Sequence, residues 1–221
     1  MSEKLIRSRK IGSRKIVNRI DEILRICEGK RVLHLGCADY PFTSVRGDQL
    51  LHKRLDTVAG DLWGMDVSDE GITALKDLGF EQVIAGDSEQ LDEFFKPGQF
   101  DVIVAGEIIE HLGAPAHFLK SIKMIMDSST ELILTTINAF SFKSIAHSFL
   151  RKEKVHEDHN YYFSYYTLDQ LLKKCGFCSN EIYYAQEIQG TGISLFIDRI
   201  LAIIPRISPV FSDSLFVRSS M

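Results

Sequence analysis

Four short stretches of this chain place a small or acidic residue directly after an apolar run: Gly36-Cys37, Asp66-Val67, Asp87-Ser88 and Gly106-Glu107. Their types suit a grip on a nucleoside. Gly36 permits a tight turn and close approach of a ligand to backbone. The Asp66 carboxylate can accept from two neighbouring hydroxyls at once, as a ribose presents them. Asp87 can accept from the amino group of an adenine, with a backbone N–H near Ser88 given to the ring. The plainer alternative is that Asp66 and Asp87 only cap helices. Further on, Glu107, Glu110 and His111 are spaced i, i+3 and i+4, so one helical turn would place them on one face. His111 is the best candidate for a general base, because an imidazole pKa of about 6.5 suits neutral pH. Glu110 beside it is the second catalytic candidate. The same three groups could hold a divalent cation, with His156 or His159 completing the set. No metal ligand is assigned from sequence.

These residues need elements to carry them. Five short apolar runs, 31–35 (RVLHL), 62–67 (LWGMDV), 81–85 (EQVIA), 100–105 (FDVIVA) and 131–136 (ELILTT), read as buried strands. Helical patterns fill 46–57, 69–78, 88–95, 114–126 and 167–175, and another spans 14–28 up to Gly29. Alternation of this kind implies a parallel sheet covered on both faces. Two late strands, 181–187 and 214–217, suit an antiparallel end to that sheet. The expected fold is α/β: a Rossmann-like three-layer sandwich whose mostly parallel seven-stranded sheet carries an antiparallel C-terminal edge strand. Residues 1–28 are expected to be a basic arm and helix, and residues 29–221 the single main domain. In such sheets ligands bind at the carboxyl ends of strands, where the polar signals sit.

Composition narrows the classes. The chain has 221 residues, 45% hydrophobic and 25% charged, the balance of one globular core. A net charge of −4 makes nucleic acid an unlikely partner, although residues 1–20 hold seven Lys or Arg against Glu3 alone. The basic start precedes no unbroken apolar run, so no secretory signal is expected. The apolar stretch 193–211 is broken by Asp198, Arg199, Pro205 and Arg206, so no transmembrane span is expected. Four cysteines do not make a disulfide framework, and a cytoplasmic location is expected. Cys175 and Cys178 form a lone CxxC, read as small core residues. A dinucleotide would need further glycines against its pyrophosphate, and only Gly36 is present.

The segments RVLHLGCAD (31–39), WGMDVS (63–68), VIAGDSEQL (83–91), FDVIVAGEIIEHL (100–112) and HNYYFSYYTLDQLLKKCGF (159–177) together resemble the class I S-adenosylmethionine (SAM)-dependent methyltransferase superfamily. EIIEHL followed by FS-x-x-TL and GF is similar to the branch holding ubiquinone-biosynthesis O-methyltransferases and many small-molecule and sugar methyltransferases. The resemblance implies SAM as cofactor and S-adenosylhomocysteine as product. It makes Gly36 and Cys37 the first-loop turn, Asp66 and Val67 the ribose contact, Asp87 and Ser88 the adenine contact, and Glu107 a neighbour of the methionine end. Two positions depart from it. His34 stands where the family carries an acid two residues before the glycine, and the glycine-rich loop keeps one glycine.

The expected acceptor is a small molecule or a glycan. Residues 151–166 (RKEKVHEDHNYYFSYY) put five aromatics into six positions, as a lid stacking on a sugar or aromatic substrate would. Tyr162 and Tyr165 are the residues singled out. A rival is RNA ribose 2′-O-methylation, because plant small-RNA methyltransferases look similar around E-x-x-E-H. Another is a non-catalytic SAM-binding protein, motivated by His34. The apolar segment 193–204 suits core packing, a homodimer interface or a peripheral membrane contact.

Overall fold

The computed structural model describes residue 11 and residues 15–153, 155–186 and 203–221. Most of the basic arm and residues 193–202 of the apolar segment therefore lie outside the described residues. Eight strands form one sheet: β1 (Ile16–Asn18), β2 (Arg31–Leu35), β3 (Asp61–Asp66), β4 (Val83–Ala85), β5 (Val102–Gly106), β6 (Glu131–Ile137), β7 (Ser179–Gln186) and β8 (Ser214–Ser220). Their order is β1-β7-β8-β6-β5-β2-β3-β4, and every neighbouring pair is parallel except those made by β8.

Period-two alternation in the apolar runs makes this sheet two-faced. Leu33, Leu35, Ile103, Leu132 and Leu134 pack into one core with residues of α5 (Pro115–Ile125), α7 (Tyr165–Lys174) and the 3-10 segment Ser88–Glu93. Their alternates Val32, Val102, Val104 and Ile133 pack into another, with α1 (Arg19–Cys27) and α3 (Leu51–Asp56). A third, smaller core holds Ile72 and Leu75 of α4 (Asp69–Asp77) with Cys37 and Leu50. Burying a run on both faces is what produces near-continuous hydrophobic strands rather than polar-out alternation.

The mixed α/β sheet matches expectation, and the differences are local. Residues 16–18 are strand rather than helix, giving eight strands in place of seven, because Ile16, Val17 and Asn18 pair with Tyr184, Ala185 and Gln186. The helix starts at Arg19, where the Asn18 side chain accepts from the N–H groups of Ile20 and Asp21. The antiparallel strand β8 lies at the expected end of the sheet, with β7 and then β1 outside it. Residues 43–56 are split into α2 (Thr43–Arg46), a 3-10 turn and α3. The segment after Asp87 is 3-10 with a break at Gln90 rather than α-helix. Helix α6 (Phe142–Phe149) was not expected; its apolar stripe of Phe142, Ile145, Ala146 and Phe149 is only partly covered, and it buries no residue fully. Residues 203–207 form α8 (Ile203–Ile207). Cys175 is buried as expected, whereas Cys178 is exposed, and all four cysteines are free thiols. None of the described helices is long and apolar enough to cross a membrane.

The chain runs outward through β2, β3 and β4, then returns to β5 on the other side of β2. The crevice between β2 and β5 is therefore the switch point of the sheet. Gly36 and Glu107 follow those two strands.

Candidate active site

Three turns are tied together along the carboxyl edge of the sheet. The Gly36 N–H donates to Met65 O (2.9 Å), and the Gly86 N–H donates to Asp66 O (2.9 Å). Asp66 binds the first turn as well: its Oδ2 accepts from Ala38 N (2.9 Å) and its Oδ1 from Ser68 N (3.0 Å). Each oxygen has a second lone pair left, and the carboxylate is half-buried. Asp87 is exposed and caps the turn after it, accepting from Glu89 N at 2.8 Å. Ser88 is buried below it, and the Val67 side chain is exposed beside Asp66. Cys37 is buried, and burial pushes its thiol pKa upward. Gly36 has φ 70, and a Cβ there would meet Ile108 Cδ1 at 3.2 Å. That position needs glycine for both conformation and space.

His34 has a structural account. Its ring stacks on His52 at 15°, with the two Nδ1 atoms 3.3 Å apart in the interior. One ring must donate and the other accept, so both are held neutral. Burial lowers both pKa values, that of His52 to about 4. The pair forms the floor beneath the first turn, where a Cβ on Gly64 would meet His52 Cε1 at 2.7 Å and Cys37 Sγ at 2.8 Å.

A cavity of about 590 Å³ opens on the other side of the β5 tip. Its walls come from α1 (Arg19), the β5 turn (Glu107), the β6 exit (Ile137, Asn138), α6 (Lys143, His147), the aromatic loop (His156, His159, Tyr162) and the start of β8 (Asp213, Ser214). Adjacent residues at one strand tip thus serve both regions: Glu107 lines the cavity and Ile108 faces Gly36. Glu107 Oε2 pairs with Arg19 at 3.0 Å, and Ser214 Oγ donates to its Oε1 at 3.4 Å. Lys143 Nζ pairs with Asp213 at 2.9 Å.

Glu107, Glu110 and His111 do not share a face. Glu107 takes φ 52, in the left-handed region, so a turn replaces the helical one and the three side chains diverge. Glu110 is fully buried and accepts from Thr136 Oγ1 at 2.9 Å. Burial raises its pKa to about 7. Its backbone carbonyl holds the aromatic loop, accepting from Asn160 N (2.8 Å) and Tyr161 N (3.2 Å). His111 instead meets two histidines of that loop: its ring centroid is 4.5 Å from that of His159 and 5.7 Å from that of His156. Burial lowers the pKa of His111 and His159; the neighbouring His156 lowers both further, and His111 also lowers that of His159.

The aromatic loop divides its rings. Phe163 is buried, Tyr165 stacks on Tyr184 in α7's core contact, and Tyr161 donates to Gly113 O at 3.2 Å. Tyr162 alone of the five lines the cavity. Arg19, Lys143, His147 and Asp213 were missed from sequence. They lie far apart along the chain and share no spacing. His52 likewise carried no pattern, and only its burial against His34 reveals it.

A family model described as a methyltransferase domain matches residues 8–179. The ubiquinone biosynthesis O-methyltransferase of Pseudomonas aeruginosa strain UCBPP-PA14 is 28% identical over 127 residues, 55% of this chain. The match covers 50% of that relative, so the chain aligns with about half the length of the curated relatives it matches. A crystal structure of a SAM-dependent methyltransferase from Archaeoglobus fulgidus superposes with TM-score 0.62 at 16% identity, covering 92% of this chain and 91% of that one. The plantazolicin methyltransferase BamL, solved in complex with a triazolic desmethylPZN analog and S-adenosylhomocysteine, superposes with TM-score 0.60 at 15% identity over 91% of this chain and 84% of its own. The chain belongs to the methyltransferase-domain family. Its α/β fold is the one these SAM-dependent methyltransferases share.

Proposed function

We propose that this enzyme transfers the SAM methyl group to a hydroxyl of a small molecule held in the cavity beside the β5 tip. The observation that carries the reading is the shared strand tip. Cofactor over Gly36 and acceptor against Glu107 would be separated by one backbone step. Asp66 accepts from the ribose hydroxyls with its two remaining lone pairs, and Asp87 with the Ser88 turn meets the adenine. Val67, beside Asp66, packs on the adenosine, and Cys37 shapes the turn under the methionine portion. Glu107, held by Arg19 and Ser214 at the tip between cofactor and acceptor, is assigned to the methionine end of the cofactor. The His34–His52 pair occupies the place where the family acid stands and leaves that task to Glu107.

The cavity volume suits a drug-sized molecule better than a polymer. Its wall mixes apolar surface with Tyr162 and imidazoles. Transfer is an in-line displacement: the acceptor oxygen forms a bond to the methyl carbon as the carbon–sulfur bond breaks, leaving a neutral thioether. The hydroxyl proton passes to the imidazole cluster at the cavity wall. Here His111 acts from behind His159, and Glu110 is a positioning residue, because its carboxylate is buried under Thr136 and its carbonyl holds the loop. The relative's printed role in ubiquinone biosynthesis favours a hydroxylated aromatic acceptor.

Calorimetry with SAM, S-adenosylhomocysteine and NADH tests the cofactor part, on wild type and Asp66→Ala. Transfer of labelled methyl to a panel of catechols, phenols and oligosaccharides tests the acceptor. Label appearing only on short RNA, with binding that weakens steeply in salt, would overturn the small-molecule reading.

A further inference from the structure

We propose that His111, His156 and His159 form a three-imidazole site for a divalent transition metal such as zinc, in the wall of the acceptor cavity. Each ring offers a nitrogen, and the three nitrogens lie within 4.8 Å of one another. A tetrahedral ion with metal–nitrogen bonds of about 2.0–2.1 Å needs nitrogen–nitrogen separations of about 3.3 Å. The nitrogens must therefore draw together by up to about 1.5 Å, within reach of side-chain rotation.

Three features show the cluster is held rather than accidental. The loop carrying His156 and His159 is fixed beside His111 by three hydrogen bonds: Asn160 N and Tyr161 N to Glu110 O, and Asn160 Nδ2 to His111 O at 2.7 Å. His159 Nδ1 is buried without a hydrogen-bond partner among the described residues, an unmet need that a ligand would answer. The Asp158 carboxylate lies 3.6 Å from His156 Nδ1 and would accept its N–H in the tautomer that frees Nε2 for an ion. The donor set is imidazole alone, because Glu107 and Glu110 turn elsewhere. Neutral nitrogens suit zinc, cobalt or nickel and are poor ligands for magnesium or calcium. Three protein ligands leave one tetrahedral position for water or the acceptor oxygen.

The inference rests on the same cluster as the proposed function and would replace its proton-acceptor role, because an imidazole that ligates an ion has no lone pair left for the hydroxyl proton; its test does not depend on turnover. Metal-free protein is titrated with Co²⁺, and visible absorption and bound metal are read. Wild type should take up one ion with a tetrahedral cobalt band, and Zn²⁺ should displace it. His156→Ala and His159→Ala should each weaken binding by more than about 100-fold. His117→Ala, on the exposed face of α5, should not. SAM calorimetry on each variant checks folding and the cofactor site independently. Absence of bound cobalt in wild type that still binds SAM would overturn the metal site and leave the methyltransferase reading standing. Undiminished cobalt binding in the His156→Ala/His159→Ala double variant would overturn it as well.

Discussion

The two sides of the β5 tip are built in opposite ways. On the Gly36 side, three turns at the ends of the consecutive strands β2, β3 and β4 are joined by backbone hydrogen bonds, and Asp66 ties two of them directly. On the Glu107 side, the cavity is walled by side chains from elements as far apart in sequence as Arg19, Lys143 and Asp213. The first is a backbone scaffold with few side chains to vary. The second is a mosaic in which each residue can change without moving the sheet. That division suits a family in which one cofactor serves many acceptors.

Four measurements would sharpen or break the contrast, beginning with the largest effect. Asp66→Ala should weaken SAM binding by about 100-fold or more, since two hydrogen bonds to a charged group are lost at about 1.5–3 kcal/mol each. Calorimetry reads this, and unchanged affinity would remove Asp66 from the cofactor site. Some loss of stability should accompany it, because Ala38 N and Ser68 N lose their acceptor.

Next comes the floor beneath the first turn. The folded His52 pKa is about 4, below the ordinary imidazole value of 6.5, so the unfolded chain binds more protons between those values. Stability is full above pH 6.5 and is lost as pH falls toward 4, by about 3 kcal/mol for His52 alone. Denaturation near pH 7 and near pH 4 should show a smaller difference in His52→Leu than in wild type. An equal difference would place the acid sensitivity elsewhere.

Gly64→Ala should destabilise by about 2 kcal/mol, because the added methyl presses on the same floor and the packed neighbours must shift. Urea unfolding measures it. Smallest is Tyr162→Ala, which should raise the acceptor KM about tenfold, near the 1.4 kcal/mol of one ring contact. SAM affinity should stay unchanged. Equal effects on cofactor and acceptor would erase the distinction between the two sides. Tyr165, singled out with Tyr162 in the sequence, should not behave this way, because its ring stacks on Tyr184 away from the cavity wall.

What could be read in advance followed from local rules. The run 31–35 coincides with β2, and Gly36, Asp66 and Asp87 emerged where such runs stop. The helix expected from residue 14 did not begin until Arg19, since pairing with β7 claims residues 16–18. Likewise E-x-x-E-H promised one face, and the left-handed Glu107 dispersed it.

From sequence alone came the α/β architecture, the family resemblance and the acids placed at the strand ends. These depend on hydrophobic period and on residues a few positions apart, and both are written along the chain. The tertiary structure decided the cavity, the buried His34–His52 pair and the gathering of His111 with His156 and His159. Those join segments distant in sequence. Their proximity arises from packing on a shared sheet edge, for which no one-dimensional spacing is a proxy.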